Sequence, residues 1–144
     1  MSGGPLPAQR RRSRGQALAE FALAIPLFVL LLFGLIDIGR LVYVNNAISQ
    51  AAREGARYGA VQARSATVAS RTGIEAHTVT VMAAVPQPTV SATCERNGAA
   101  VGACRSTDLL VVSVSSPVDM FTPVIGQLVG TVNVNSTARV TVNQ

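Results

Sequence analysis

Residues 21–36 read FALAIPLFVLLLFGLI, a run of sixteen positions without a charged side chain. Apolar residues resume at Ile38 and continue to Val44, interrupted only by Asp37 and Arg40. A helix that crosses a bilayer needs about 20 mainly apolar residues at about 1.5 Å of rise each, and residues 21–44 meet that length. We therefore expect one membrane-spanning helix. A buried core helix is the alternative, but the remaining sequence offers little apolar surface to surround it.

The positive charge of the chain is concentrated ahead of this run. Four arginines precede Glu20, with no acid among them: Arg10, Arg11, Arg12 and Arg14. Residues 16–144 carry eight Arg and seven acids, a formal balance of +1. A basic cluster beside a span favours the cytoplasmic side, so we expect the C-terminal part outside. Because the charge lies in a polar tail, it does not indicate a nucleic-acid-binding face.

Two targeting signals are alternative interpretations of the same N-terminus. A cleavable secretory signal has an apolar core of about 7–15 residues followed by small residues at the cleavage site, and this run is longer. A helix-forming segment also follows it directly. The pair Arg11-Arg12 is compatible with a twin-arginine signal, but one pair inside an arginine cluster is weak evidence.

The helical pattern continues beyond the apolar run, and small residues recur there at every fourth position. This row lies on one face of a helix and consists of Ala47, Ala51, Gly55, Gly59 and Ala63. Glycine inside a helix costs about 1 kcal/mol relative to alanine, which a close approach of another backbone can offset. The row therefore predicts helix packing, either against a partner helix or against the protein's own C-terminal domain.

The C-terminal half has strand character. Residues 64–88 are ambiguous and are interpreted as a second helix or a broken continuation of the first, ending before Pro86. Beyond Pro88, strands are predicted at 89–94, 109–115 and 131–142, with a turn at Asn97-Gly98. The predicted fold class is α+β, in which a long N-terminal transmembrane helix precedes a small antiparallel sheet of about three strands.

Little in the sequence indicates catalysis. His77 is the only histidine, and no metal-ligand cluster, phosphate-binding loop or nucleophile motif accompanies it. We therefore predict no enzyme activity, no cofactor and no metal. Cys94 and Cys104 are the only cysteines, and nine residues separate them. Outside the cytoplasm such a pair is predicted to form a disulfide.

Three charged residues break the apolar pattern. Asp37 and Arg40 share a helix face late in the span, where they are expected to neutralise each other near the outer headgroups. Contact of Asp37 with a partner helix is the alternative. Glu20 opens the apolar run five residues after Gly15. A carboxylate there complements the positive end of a helix by about 0.3–1 kcal/mol, which does not by itself explain the surrounding pattern.

Taken together, residues 15–59 resemble the TadE-like family of minor pseudopilins, within the type IV class of prepilins. The matching stretches are GQALAEFALAIPL and LLFGLIDIGRLVYVNNAISQAAREGARYGA. They contain a leader glycine (Gly15) followed by Gln16, Glu20 and Phe21, then a proline in the apolar helix and a late aspartate. The stretch 51–57 fits the family element Ala-Ala-Arg-x-Gly-Ala-Arg. The resemblance covers about a third of the chain.

The resemblance implies a role in a Tad (tight adherence) pilus. It implies a basic cytoplasmic leader (1–15) removed by a prepilin peptidase, a transmembrane and extended helix (16–63) and an extracytoplasmic β-rich domain (64–144). The implied location is the cytoplasmic membrane, with other pilin subunits and pilus assembly proteins as partners and with adhesion as the outcome. An unprocessed single-pass protein with an external binding domain is the alternative.

Overall fold

The structure, a computed structural model, describes residues 10–65, 70–102, 104–105, 107–122, 126–127 and 130–142, and within the first helix it describes the side chains of 15–63. The elements are α1 (Arg10–Ser65), α2 (Arg71–Thr80), β1 (Thr89–Arg96), β2 (Ala99–Val101), β3 (Leu109–Val118) and β4 (Val132–Thr141). A long apolar helix thus precedes a small antiparallel sheet, and the expected α+β class is confirmed.

Helix α1 has two parts that differ in environment. From residue 15 to Tyr43 its side chains are largely exposed, apart from Asp37 and a few half-buried positions. From Val44 onward one face is buried, including Ile48, Ala51 and Ala52. The helix begins earlier than the expected Gln16, because arginine is a good helix former and extending a helix needs no new nucleus. Residues 1–9 of the expected basic leader lie outside the described residues.

The sheet has the strand order β2-β1-β3-β4, and every neighbouring pair is antiparallel. The pairing of Ala92 with Val112, and of Val112 with Ala138, places these three side chains in one row across the sheet. This row faces the helices. The opposite face carries hydroxyl residues, and Ser113 and Thr137 share a hydrogen bond of 3.1 Å there. A sheet with one apolar and one polar face matches the period-2 pattern of the sequence.

The core lies between this sheet and the C-terminal half of α1. Helix α1 packs on β3, β4 and α2, while α2 packs on β1. The core is built from aliphatic side chains, with Ile48, Ile74, Leu110, Val112 and Val114 among the largest that are fully buried. The sheet and α2 thus form a domain around residues 44–63 of α1, and the exposed apolar part of α1 projects from it.

The strands differ from the expected ones in two places. Strand β3 continues through Pro117 to Val118, beyond the expected end at residue 115. Proline is tolerated there because the pairing of β3 with β1 ends at Ser115, so only β4 still borders β3 at this position. Strand β2 was not expected, since its three residues are too short to show a period.

The predicted turn and the second helix are present. Asn97 and Gly98 have φ of 51° and 80°, and Arg96 pairs with Ala99 across them. Positive φ at both central residues is what a two-residue hairpin turn requires. Of the two interpretations of the ambiguous segment, the second helix is found. Ser70 caps it, since its Oγ accepts a 3.4 Å hydrogen bond from the Gly73 amide.

Candidate functional site

The residues predicted for processing lie together on the exposed N-terminal turns of α1. Gly15, Gln16, Glu20 and Phe21 are all exposed. A methyl group added at Gly15 would meet no atom within 4 Å. Glu20 has no hydrogen-bond or ion-pair partner among the described residues. The fold therefore places no constraint on these side chains, and a requirement for them has to come from another molecule.

The apolar part of α1 is exposed on nearly its whole circumference. One described helix is long and apolar enough to cross a membrane, with a mean hydropathy of 2.6 in its most apolar window and only 6% of that window buried. The alternative of a buried core helix is therefore wrong. Exposed aliphatic and aromatic residues in water would aggregate, so this length of helix is consistent with membrane anchoring.

Asp37 is the best-satisfied polar residue of this helix, and it is held by the C-terminal domain. Its carboxylate accepts hydrogen bonds from the Phe121 amide (2.9 Å), the Thr122 amide (2.9 Å) and the Thr122 hydroxyl (2.6 Å). Asp37 is only 4% exposed, and Thr122 is fully buried. These donors belong to the chain that follows β3. The contact joins residues 84 and 85 positions apart, which no local sequence pattern reports.

Arg40 contacts the same segment, and among the described residues it forms no direct ion pair with Asp37. One guanidinium nitrogen of Arg40 donates a 3.0 Å hydrogen bond to the Asp119 carbonyl. The same group lies 4.9 Å from the centre of the Phe121 ring. The hydrogen bonds of both side chains thus go to residues 119–122 and not from one side chain to the other. The physical reason is that two backbone N–H groups and a hydroxyl surround the carboxylate more completely than one exposed guanidinium can.

The row of small residues on α1 packs within the protein. A methyl group at Gly55 would collide with Thr78 of α2, and one at Gly59 would collide with the Leu110 side chain and lie 2.8 Å from Cδ1 of Ile74. Ala51 and Ala63 are buried, while Ala47 is half-buried against the same core. This row therefore packs on α2 and the sheet. Of the two predicted alternatives, this is packing against the protein's own C-terminal domain.

A disulfide and an ion pair hold the end of the sheet near β2. Cys94 and Cys104 are bonded, as predicted. Beside them, the Asp108 carboxylate accepts hydrogen bonds from Nε and Nη2 of Arg96 (2.7 and 2.6 Å) and from the Arg105 amide (2.7 Å). The hydrogen bonds from Arg96 and then from Arg105 hold the pKa of Asp108 below its usual value, and the same contact raises the pKa of Arg96. Sequence spacing did not indicate this pair.

Two of the concave regions along α1 lie beside groups described above. One, of about 350 Å³, is lined by three arginines around an apolar floor, namely Arg53, Arg57 and Arg139. Arg57 is already paired with Glu54 at 3.0 Å. The other, of about 230 Å³, lies between the apolar helix and the chain after β3, and is lined by Pro26, Val29, Leu30, Phe33 and Thr122. The single histidine stacks on Tyr58, with ring centres 4.0 Å apart.

Comparison with known proteins identifies the N-terminal part of the chain. Residues 15–57 match the family model described as TadE-like protein. No curated protein and no solved structure matches the chain. The matched segment starts at Gly15 and includes Glu20, Asp37 and the Ala-Ala-Arg-Glu-Gly-Ala-Arg stretch, as the sequence resemblance predicted. Residues 15–57, about a third of the chain, are thus similar to the TadE-like family.

Proposed function

We propose that the chain is the precursor of a minor pilin or pseudopilin that takes part in assembling a Tad-type pilus for adhesion. The observation that carries this proposal is the family match over residues 15–57, which suggests a Tad-pilus-related protein. In this proposal the leader 1–15 stays in the cytoplasm, helix 16–63 spans the cytoplasmic membrane, and domain 64–144 lies outside. Other pilin subunits and assembly proteins are the partners, and no catalytic activity is involved.

Maturation in this proposal is a cut between Gly15 and Gln16 by a prepilin peptidase. Glycine leaves the scissile bond free of side-chain bulk, and the segment is exposed. The arginines before it support the cytoplasmic placement of the leader, because basic residues that flank a span favour that side. The four arginines would be removed with the leader.

Glu20 has a role in assembly under the same proposal. An unpaired carboxylate at the start of a membrane helix is costly, so a cationic partner would stabilise it. The new amine of Gln16 in a neighbouring subunit is such a partner. Glu20→Ala should then insert and be cut normally but form fewer pili, and normal pilus numbers in this variant would exclude the pairing.

The cut is tested by mass spectrometry of the protein recovered from membranes. We expect a mature chain that begins at Gln16. Gly15→Ala should accumulate the uncut precursor, and Gly34→Ala is the matched control, since an added methyl group meets nothing within 4 Å at either glycine. A wild-type chain that keeps its leader would contradict the proposal and favour an unprocessed single-pass protein with an external binding domain.

A further inference from the structure

Phe121 is an exposed aromatic residue that the fold holds in place. Its side chain is 65% exposed, although its backbone amide donates to Asp37 and its ring lies under Arg40. Two contacts to α1 therefore fix the position of this ring relative to the apolar helix. One exposed aromatic ring is ordinary on a protein surface, so its meaning depends on where the ring lies relative to the exposed apolar part of α1.

The depth of Phe121 in the bilayer follows from the geometry of α1. Leu18 and Ile38 are both exposed, and the twenty residues of rise between them correspond to about 30 Å, the thickness of the hydrocarbon core of a bilayer. Asp37 then lies at the outer hydrocarbon boundary. Since the Phe121 amide is 2.9 Å from the Asp37 carboxylate, Phe121 lies at the same level.

The concave region beside Asp37 shows that Thr122 reaches the level of the apolar part of α1. Thr122 lines the 230 Å³ concave region together with Phe33 and Val29, which lie four and eight residues closer to the N-terminus than Asp37. Those positions are about 6 and 12 Å deeper along the helix axis. Thr122 thus faces residues that belong to the outer half of the span.

The charges around Phe121 suit the headgroup region. The Arg40 guanidinium lies beside the ring and has donors left after its bond to the Asp119 carbonyl, so it can bind a lipid phosphate. Two acids lie beside it: the Asp37 carboxylate accepts a hydrogen bond from the Phe121 amide, and Asp119 accepts a 2.9 Å hydrogen bond from the Thr131 hydroxyl. Tyr43 is exposed about two turns of α1 above Asp37. Aromatic rings and an arginine at this depth are typical of a membrane interface.

We propose that Phe121 inserts into the outer leaflet of the bilayer, so that the protein contacts lipid at a second place besides its helix. This inference rests on the proposed membrane span. The occupant is lipid, because the covered surface is continuous with the lipid-facing side of α1. A second copy of the chain on Phe121 is the competing outcome that the experiment excludes.

The test uses the absence of tryptophan from the chain. Phe121→Trp, Phe28→Trp and Val61→Trp, at three exposed positions, each introduce a single fluorophore into the full chain. The variants are reconstituted at low protein density in vesicles whose phosphatidylcholine is brominated either near the headgroup or near the end of the acyl chain. Bromine quenches tryptophan only on close approach.

We expect shallow bromines to quench Phe121→Trp at least about twofold more than Val61→Trp, which lies far above the membrane, and deep bromines to quench Phe28→Trp most. Quenching of Phe28→Trp without quenching of Phe121→Trp would overturn the inference and leave the span intact. Loss of quenching in both would remove the span and the inference together. Shielding of Phe121→Trp that appears only at high protein density would assign the surface to a second copy.

Discussion

At the scale of single residues, two glycines of α1 set how closely the domain can pack on its helix. Gly55 lies against Thr78, whose Cβ and Cγ2 would both be 3.2 Å from an added methyl group. Thr78 cannot turn away freely, since its hydroxyl donates a 2.7 Å hydrogen bond to the Ile74 carbonyl and the residue is fully buried. The absence of a side chain at Gly55 is therefore a packing requirement and not a conformational one.

Replacing Gly55 by Ala should destabilise the domain. Alanine gains about 1 kcal/mol of helix propensity, but overpacking against Thr78 costs about 1–3 kcal/mol, so we expect a net loss of about 1 kcal/mol. Thermal unfolding of the full chain in detergent measures it. The same substitution should cost less in a Thr78→Ala background, where Oγ1 and Cγ2 are gone. Equal costs in both backgrounds would show that the two residues do not interact.

At the scale of elements, α1 and the three longer strands follow from periodicity, whereas α2 was one of two interpretations and β2 was not expected. The contacts between distant elements do not follow from periodicity. Val132, Val134, Ala138 and Val140 alternate along β4 and all face the helices, as the pattern predicted. The third strand was predicted to end at residue 115, before Pro117, because a sequence does not show that pairing remains on only one side. Partners such as Arg96 and Asp108 lie twelve positions apart on different strands and connections, so no helical or strand period relates them.

In the candidate site, too, the contacts between residues far apart in the sequence could not be predicted. Gly15, Glu20 and the apolar helix could be recognised as a pattern, because they are local to one helix. The role of Asp37 could not be, since its donors are contributed by Phe121 and Thr122 after the third strand. A short local pattern suggested Arg40 as its partner. The structure shows that a distant backbone can satisfy a carboxylate better than a neighbour on its own helix.

Asp108 connects three elements, and this makes the domain sensitive to acid. Its carboxylate binds Arg96 on β1, and its carbonyl accepts a 2.9 Å hydrogen bond from the Val142 amide just after β4. Because its pKa is lowered on folding, ionised Asp108 stabilises the folded state above its ordinary pKa of 3.8, and this contribution is lost as the pH falls through the lower pKa of the folded state.

Urea unfolding as a function of pH should therefore show a midpoint that falls below about pH 4 in the wild-type chain. Asp108→Asn should have a lower midpoint at neutral pH and a weaker dependence on acid, because it cannot lose a charge. Glu54→Gln is the control, since the exposed pair of Glu54 and Arg57 contributes little. A pH profile of Asp108→Asn parallel to that of the wild-type chain would assign the acid response to other groups.

At the scale of the whole molecule, α1 is both the apolar segment and the central helix of the folded domain. It has 56 residues, about 84 Å of helix, and the sheet packs on its C-terminal part. Without further contacts, the domain would be held on α1 only where its core packs on the helix. The contacts of residues 119–122 with Asp37 and Arg40 add a second attachment, on the side of the domain that faces the apolar segment.

This second attachment should depend on the charge and symmetry of the Asp37 carboxylate. Asparagine has nearly the same shape but only one acceptor oxygen, and its NH₂ group would face the N–H of Phe121 or of Thr122. Asp37→Asn should therefore release residues 119–122 from α1 while the core, which does not include them, stays folded. Hydrogen exchange of the full chain in detergent should show about tenfold faster exchange or more for a peptide that contains Phe121 and Thr122. Peptides of β1 and β3 should keep their protection, as should all peptides of the Glu54→Gln control. Unchanged protection at Phe121 and Thr122 would mean that the core alone holds the domain on its helix, and that the Asp37 contact contributes nothing to its orientation.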